Sequence, residues 1–157
     1  MTIVYSLKHF IVRNGVRDRK GIGVYTSELR PVEVMETLGH KPGFSDPRGA
    51  FSQTQVSVGS AYLPNGYDAG TDTPIALPGF ETSIRGDHAF ELEAINVVDA
   101  QETDDDFVLI SLFATRADAL KAAEILASRI DLKRYRLEVF EKYIDRDNWT
   151  TGFVSDN

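Results

Sequence analysis

The spacing of apolar residues in the first half of the chain predicts two strands, a helix and a third strand. β-Forming side chains with partial alternation indicate a strand from Ile3 to Val12, and Asn14-Gly15 is a strong turn signal. A shorter strand from Gly21 to Thr26 follows. A helix beginning near Pro31 comes next, because its apolar residues recur every three positions. These apolar positions are Val32, Met35 and Leu38. The third strand is predicted from Phe51 to Val58.

The second half repeats this order with clearer patterns. We predict strands from Phe90 to Val98 and from Phe107 to Phe113, the latter nearly continuous in apolar residues and therefore buried on both faces. A helix from Arg116 to Arg129 follows, and a cleanly alternating strand runs from Tyr135 to Tyr143. The apolar stripe of this helix consists of Ala119, Ala122, Ala123, Leu126 and Ile130.

Capping residues precede both predicted helices. Thr26 or Ser27 can cap the first helix, and Pro31 suits its first turn. Thr115, with Asp118 three residues later, resembles a capping box in which Asp replaces the usual Glu or Gln. Each half therefore reads as strand, turn, strand, capped helix and strand.

The junctions of the two halves also correspond. Residues 24–27 (Val-Tyr-Thr-Ser) match residues 112–115 (Leu-Phe-Ala-Thr), and the segment 62–67 matches 149–153. In the segments 62–67 and 149–153, an aromatic residue is followed by glycine and a second aromatic residue. We interpret this as a diverged duplication; the alternative is that two α+β units look alike by chance.

The predicted fold is α+β, with two pseudo-repeated strand-strand-helix-strand halves that form antiparallel sheet and carry their helices on one side. The 157 residues are expected to form a single domain. The halves would be 1–67 and 88–154. The connection 59–88 is rich in glycine and proline, but its aromatic and aliphatic residues indicate that much of it lies against the body.

Composition limits the classes of function. With 42% hydrophobic and 26% charged residues, the chain is typical of a soluble globular protein, and no apolar run is long enough to span a bilayer. A net charge of −7 argues against nucleic acid as a ligand, because phosphate binding requires a basic face. The absence of cysteine excludes disulfides and thiolate chemistry. Together with an N-terminus unlike a signal peptide, it leads us to expect a cytoplasmic protein.

Acidic residues concentrate in the segment 90–106, which contains no Lys or Arg. They are Glu91, Glu93, Asp99, Glu102, Asp104, Asp105 and Asp106. This run is either a solvated acidic turn or a docking surface for a basic partner, since such a field speeds encounter. Tyr62 and Tyr67 would add aromatic anchors. The predicted partner-binding residues are thus Asp99, Glu102, Asp104, Asp105, Asp106, Tyr62 and Tyr67.

Three fragments of the chain resemble a group of small, mostly uncharacterised bacterial proteins. The fragments are Gly23-Val24-Tyr25-Thr26-Ser27, Pro42-Gly43-Phe44-Ser45-Asp46 and the tail Asp145-x-Asp147-x-Trp149-x-x-Gly152-Phe153. The match covers about half the chain and is divided between both halves, unlike a single-unit family. The resemblance implies an α+β fold and a bacterial source. Proteins similar to this are often immunity proteins, which protect a cell by binding a secreted toxin. On structural grounds, Trp149 and Phe153 are expected to be core or sheet-packing residues and not ligand contacts.

No pattern in the sequence indicates catalysis. The three histidines, His9, His40 and His88, are scattered without metal-ligand spacing, and each is expected to be a surface or satisfied histidine. Gly21-Ile22-Gly23 lies within a predicted strand and is not a phosphate loop. The acidic run lacks the alternating ligands of a calcium-binding loop. We therefore expect no enzyme activity, no cofactor and no metal.

The function we predict is that of a bacterial immunity protein, a toxin inhibitor or antitoxin in bacterial competition. It would bind a cognate toxin domain, basic in character, and occlude its active site; neither nucleic acid nor a membrane would be a partner. The oligomeric state is left open. The alternative is a small-molecule-binding or regulatory α+β module, with a pocket between the pseudo-repeats.

Overall fold

The computed structural model describes residues 2–62, 74–76, 80–96, 107–128, 130, 132–133 and 135–153. It is an α+β fold with two three-stranded antiparallel sheets, as predicted, and an additional two-stranded sheet. The strands are β1 (Ile3–Arg13), β2 (Val16–Tyr25), β3 (Gly49–Ser57), β4 (Ser60–Tyr62), β5 (Pro74–Ala76), β6 (His88–Asn96), β7 (Phe107–Phe113) and β8 (Tyr135–Tyr143). The helices are α1 (Leu29–Leu38) and α2 (Arg116–Leu126).

The chain divides into two compact units. The terminal unit comprises Ile3–Gln55 and Tyr143–Asn157, and the middle unit comprises Met1–Thr2 and Val56–Lys142. The chain therefore leaves the terminal unit near the end of β3 and returns to it at the end of β8. These units differ from two consecutive halves of the chain, because the C-terminal tail clusters with the N-terminal strands.

In the terminal unit the sheet order is β2-β1-β3, and β1 and β2 form an antiparallel hairpin. Its turn is Asn14-Gly15, as predicted, and both residues have positive φ, of 52° and 75°. The pairing shifts between Leu7 and Lys8, where Ile22 is the extra residue of a β-bulge on β2. Helix α1 packs on this sheet, and the core combines Leu7 and Ile22 with the helix and loop side chains. The other buried core residues are Tyr25, Val34, Leu38 and Phe44.

The middle unit has the same connectivity. Its sheet order is β7-β6-β8, so that the first strand of the hairpin is again central. The β6–β7 pairing shifts between Leu92 and Glu93, with Ile110 as the extra residue. The core lies between this sheet and α2. Its buried members are Leu92, Ala94, Ile110, Phe113, Ala119, Ala122, Leu126, Ile130 and Tyr135.

A single shift along the sequence relates the bulge residue and the buried helix face of the terminal unit to those of the middle unit, whereas the central strands β1 and β6 correspond by a slightly smaller shift. The shift that carries the bulge residue Ile22 to Ile110 also carries the buried face of α1 onto that of α2. Those faces are Pro31, Val34 and Leu38 in α1, and Ala119, Ala122 and Leu126 in α2. A duplication would produce this correspondence, but the correspondence alone does not establish a duplication, which stays a hypothesis.

Helix α1 differs from its prediction in two ways. It begins at Leu29, two residues before Pro31, and Ser27 contributes by accepting a hydrogen bond from the Leu29 amide at 3.2 Å. The predicted apolar face is wrong at Val32, which is 44% exposed while Val34 is buried, but it is confirmed at Leu38, which is buried, and at Met35, which packs against the core. The sequence carries apolar residues on both sides of this helix, so spacing alone does not select the buried side.

Helix α2 begins as predicted. Thr115 is its N-cap, with its hydroxyl accepting from the Asp118 amide at 3.1 Å. The Asp118 carboxylate accepts a hydrogen bond from the backbone amide of Glu81 at 3.1 Å and thereby ties the start of the helix to an earlier segment. The predicted stripe is confirmed in its buried members, although the helix ends at Leu126 and not at Arg129.

Two short strands lie within the predicted connection 59–88. β4 pairs with β5 in antiparallel register, from Ser60 opposite Ala76 to Tyr62 opposite Pro74. The Gly59 amide donates to the Leu112 carbonyl at 2.9 Å, and Ser111 donates through its hydroxyl to the Ser60 carbonyl. No helix among the described residues is long and apolar enough to cross a membrane.

Candidate functional site: the tail cluster and the face of α1

Most of the predicted partner-binding residues lie outside the described part of the chain. This applies to Asp99, Glu102, Asp104, Asp105, Asp106 and Tyr67, and to the side chain of Tyr62, whose backbone forms part of β4. Of the acidic run, Glu91 and Glu93 are described, and both are buried in β6. The expectation that the flanking strand adds acidic side chains to a docking surface is therefore wrong for these two. Inward-pointing positions of a strand do not face solvent.

The tail enters the terminal unit through Asp145. This residue has a positive φ of 58°, and its amide donates to the Val24 carbonyl at 2.8 Å. Its carboxylate accepts from the Thr26 amide at 2.9 Å and from the Thr26 hydroxyl at 2.8 Å. Both carboxylate oxygens of Asp145 are thus hydrogen-bonded to Thr26, directly after the end of β2, where the chain turns toward α1.

Asp147 makes the second set of contacts. The Tyr25 hydroxyl donates to one of its oxygens at 2.6 Å, and Arg30 donates to the other at 3.0 Å. The Tyr25 side chain is fully buried, and burial together with the Asp147 hydrogen bond raises the pKa of its hydroxyl well above the ordinary value. Gly23 leaves room for this ring, since a Cβ there would overlap the Tyr25 hydroxyl and lie 2.6 Å from the Arg146 carbonyl.

The tail also pairs with the outer edge of β2. Ile144 forms a parallel bridge with Val24, and the Asn148 amide donates to the Ile22 carbonyl at 2.7 Å. These bonds satisfy backbone groups that an edge strand would otherwise expose.

Aromatic residues complete the tail cluster, which we define as Asp145, Asp147, Trp149, Gly152 and Phe153 with the residues they contact. The Trp149 ring lies 5.1 Å from Phe44 and 4.9 Å from Phe153, edge-on in both cases. Phe153 is buried, and Trp149 packs against the core of the terminal unit. Both aromatics therefore act as packing residues, as predicted.

The three fragments that carry the resemblance meet in the terminal unit. Asp145 and Asp147 contact the Tyr25-Thr26 segment, while Trp149 and Phe153 contact the segment around Gly43-Phe44. The division of the match between both halves of the sequence is therefore not a division in the structure. The middle unit interrupts the chain of the terminal unit between its third strand and its tail.

One histidine departs from its expected environment. His9 is fully buried, and neither ring nitrogen has a hydrogen-bond partner among the described residues. Its ring lies among Phe44, Phe51 and Phe153 at centroid distances of 5.1, 4.8 and 5.7 Å. Burial lowers the pKa of His9, and the backbone of Phe44, too poorly placed for a full hydrogen bond, offsets this only in part. The expectation of a surface or satisfied histidine is wrong here.

The remaining candidates for chemistry stay dispersed. His88 contacts Asp87 at 2.6 Å and Glu141 at 3.4 Å on a partly exposed surface, and His40 is exposed. Gly21-Ile22-Gly23 lies in β2, as predicted. Among the residues that the structure describes, no group of three His, Asp or Glu side chains could hold a metal ion.

The exposed face of α1 has the composition of a binding surface. Leu29 is 70% exposed, and Val32 lies one turn later on the same face. Glu28, Glu33 and Glu36 are exposed around them. An open depression adjoins this face, and its lining residues are Thr26, Ser27, Leu29, Arg30, Glu33 and Asp145.

Sequence reasoning missed this face. The exposure of Leu29 has no sequence signal of its own, because the residue falls before the predicted start of the helix. Arg30 was also missed, since its ionic partner Asp147 lies 117 positions later. Comparison of the chain with family models, with curated proteins and with solved structures finds no match.

Proposed function

We propose that the chain is a bacterial immunity protein that binds a cognate secreted toxin in the cytoplasm of the producing cell and blocks it by occlusion. The observation that carries the proposal is the face of α1, with two exposed apolar side chains one turn apart among glutamates. An apolar centre with a charged rim is the usual anatomy of a protein interface. The acidity of the rim and the net charge of −7 favour a basic partner.

The engagement of the tail carboxylates also supports a binding role. Asp145 is bonded to Thr26, and Asp147 to Tyr25 and Arg30. Carboxylates whose oxygens are occupied in this way hold a scaffold together, and their geometry offers no unengaged acid–base pair to a substrate. The tail motif would therefore serve as a structural framework, and binding would depend on the surface that this framework supports.

The depression beside α1 favours a macromolecule over a small ligand. Small-molecule sites bury most of the ligand in an enclosed cleft. Here the lining includes Leu29, Arg30 and Glu33, all exposed, and Arg30 is already paired with Glu33 at 3.5 Å and with Asp147 at 3.0 Å. An open, mixed surface of this kind suits a protruding side chain of a protein partner. A small-molecule module remains the alternative, and a thermal-shift screen with metabolites tests it.

The experiment that tests the proposal begins with capture of the partner. Tagged protein is used for a pulldown from the source bacterium, with salt elution and mass spectrometry, and the captured protein is then expressed alone and with this chain in a host bacterium. We expect the captured protein to arrest growth alone and co-expression to restore it. Recovery of no growth-inhibiting protein, with a toxin demonstrably expressed, would overturn the immunity function.

Variants then assign the surface. Leu29→Ser should weaken partner binding at least tenfold, as removal of a central apolar contact does. Leu120→Ser is the matched control, because Leu120 is also exposed on a helix, at 54%. The triple change of Asp104, Asp105 and Asp106 to Asn tests the acidic segment in the same assay. Loss of binding in the triple variant alone would move the interface from α1 to that segment.

A further inference from the structure

Three of the four outer edges of the two main sheets carry protection against pairing with another strand. The edge of β2 is bonded to the tail through the Ile22 and Val24 carbonyls, and that of β7 is bonded through the Leu112 carbonyl to Gly59. The edge strand β8 carries charged side chains, which discourage the approach of another strand. These are Arg136, Glu138, Glu141 and Lys142.

The fourth edge, β3, has none of these devices among the described residues. Its sequence, GAFSQTQVS, contains no charged residue and no proline. The four consecutive residues 52–55 (Ser-Gln-Thr-Gln) are all exposed. Because successive side chains of a strand point to opposite faces, this stretch is open on both of its faces. A long, uncharged, open edge is a template for strand addition.

The register shows which backbone groups of β3 point outward. The Val12 amide donates to the Arg48 carbonyl at 3.2 Å, and the Val58 amide donates to the Thr2 carbonyl at 2.9 Å. In an antiparallel ladder, every second residue of a strand directs its backbone amide and carbonyl toward a given neighbouring strand. The even-numbered residues of β3 therefore direct these groups toward β1. Gln53 and Gln55 therefore direct their amides and carbonyls toward the open edge.

We propose that β3 pairs antiparallel with β3 of a second copy of this chain, about a twofold axis that passes beside Gln53. In this arrangement Gln53 lies opposite Gln53 of the second copy, and Ser52 lies opposite Thr54. Amide and hydroxyl side chains can hydrogen-bond across such a ladder, and no like charges meet. A twofold axis makes the contact self-limiting, which joins two three-stranded sheets into one of six strands. This proposal does not depend on the immunity function.

Sedimentation of the purified full chain tests the pairing. From micromolar to submillimolar concentration, we expect the mass to rise from 17.5 kDa toward twice that value. Gln53→Lys and Gln53→Glu should each weaken self-association at least tenfold, since each places like charges opposite one another. An equimolar mixture of the two variants should restore a dimer. Thr37→Lys, which adds the same charge on an exposed position of α1, is the control and should dimerise normally.

Amide hydrogen exchange gives a second readout that does not depend on variants. Exchange at Gln53 and Gln55 should slow as concentration rises, whereas Thr54, already bonded to β1, should be unaffected. A wild-type chain that stays monomeric throughout, or a dimer that Gln53→Lys leaves intact, overturns the proposal. In the monomeric case a strand of a different protein would be the remaining candidate for this edge.

Discussion

Gly43 and Gly152 approach so closely that a Cβ on Gly43 would lie 2.6 Å from the Gly152 Cα, and a Cβ on Gly152 would lie 2.6 Å from the Gly43 Cα. The contact joins the loop after α1 to the tail, and the adjacent Phe153 amide donates to the Gly43 carbonyl at 3.2 Å. Only a residue without a side chain fits at either position. Packing of the tail therefore depends on a backbone contact as well as on its aromatic rings.

Gly152→Ala should destabilise the terminal unit by about 2–4 kcal/mol, because it combines a positive φ of 77° with a clash against backbone. Urea unfolding followed by the fluorescence of Trp149, the only tryptophan, measures this change. Gly86→Ala is the matched control, since a Cβ there has no atom within 4 Å. Equal stability of the two variants would show that the tail does not pack as described.

Coupling between Tyr25 and Asp147 gives a second prediction. Asp147→Ala leaves the buried Tyr25 hydroxyl without its acceptor, at a cost of about 1–3 kcal/mol, while Tyr25→Phe removes the donor and should cost about 1 kcal/mol. The double variant should cost less than the two single changes together, with a coupling of about 1–2 kcal/mol. Chemical denaturation of the four proteins supplies the cycle, and strict additivity would contradict the hydrogen bond.

Local signals explain the parts of the fold that the sequence predicted. β7 is a short, nearly continuous apolar run and has the predicted bounds Phe107–Phe113. The cap of α2 depends on Thr115 and the nearby Asp118 amide, and its buried stripe follows the helical period. In each case the residues that decide the structure are close in sequence, so a pattern within one window contains the information.

The site could not be predicted in the same way, because its contacts join distant positions. Asp145 meets Thr26 across 119 positions, and Lys41 donates to the Thr150 carbonyl across 109. A motif in the sequence does not show what its residues contact. The burial of His9 was missed for a related reason. β1 is buried at consecutive positions such as Lys8 and His9, so the alternation of apolar and polar residues does not show which side chains are buried.

The two helix starts should differ in their sensitivity to loss of a hydroxyl. Thr115→Ala removes an N-cap side chain whose oxygen satisfies the Asp118 amide and should cost about 1 kcal/mol. Ser27→Ala removes an oxygen that lies one residue before the N-cap Glu28, with a longer bond of 3.2 Å to Leu29, and should cost a few tenths as much. Thermal and urea unfolding of the two variants test this order, and a larger loss for Ser27→Ala would contradict it.

The burial of His9 predicts that stability falls in mild acid. The unfolded chain takes up a proton near the ordinary pKa of 6.5, whereas burial lowers the pKa of His9 in the folded protein. The folded state therefore binds fewer protons, and the free energy of unfolding should decrease as pH falls below 6.5, with a slope of up to about 1.4 kcal/mol per pH unit. Above that pH the group is neutral in both states and contributes no slope.

Replacement of the ring isolates this contribution. His9→Phe keeps an aromatic side chain among Phe44, Phe51 and Phe153 but cannot be protonated. Its unfolding free energy, measured in urea between pH 7.5 and about pH 5, should lack the acid slope of the wild type, whatever its value at neutral pH. His40→Gln, at an exposed position, should keep the wild-type slope. An unchanged slope in His9→Phe would assign the acid sensitivity to other groups.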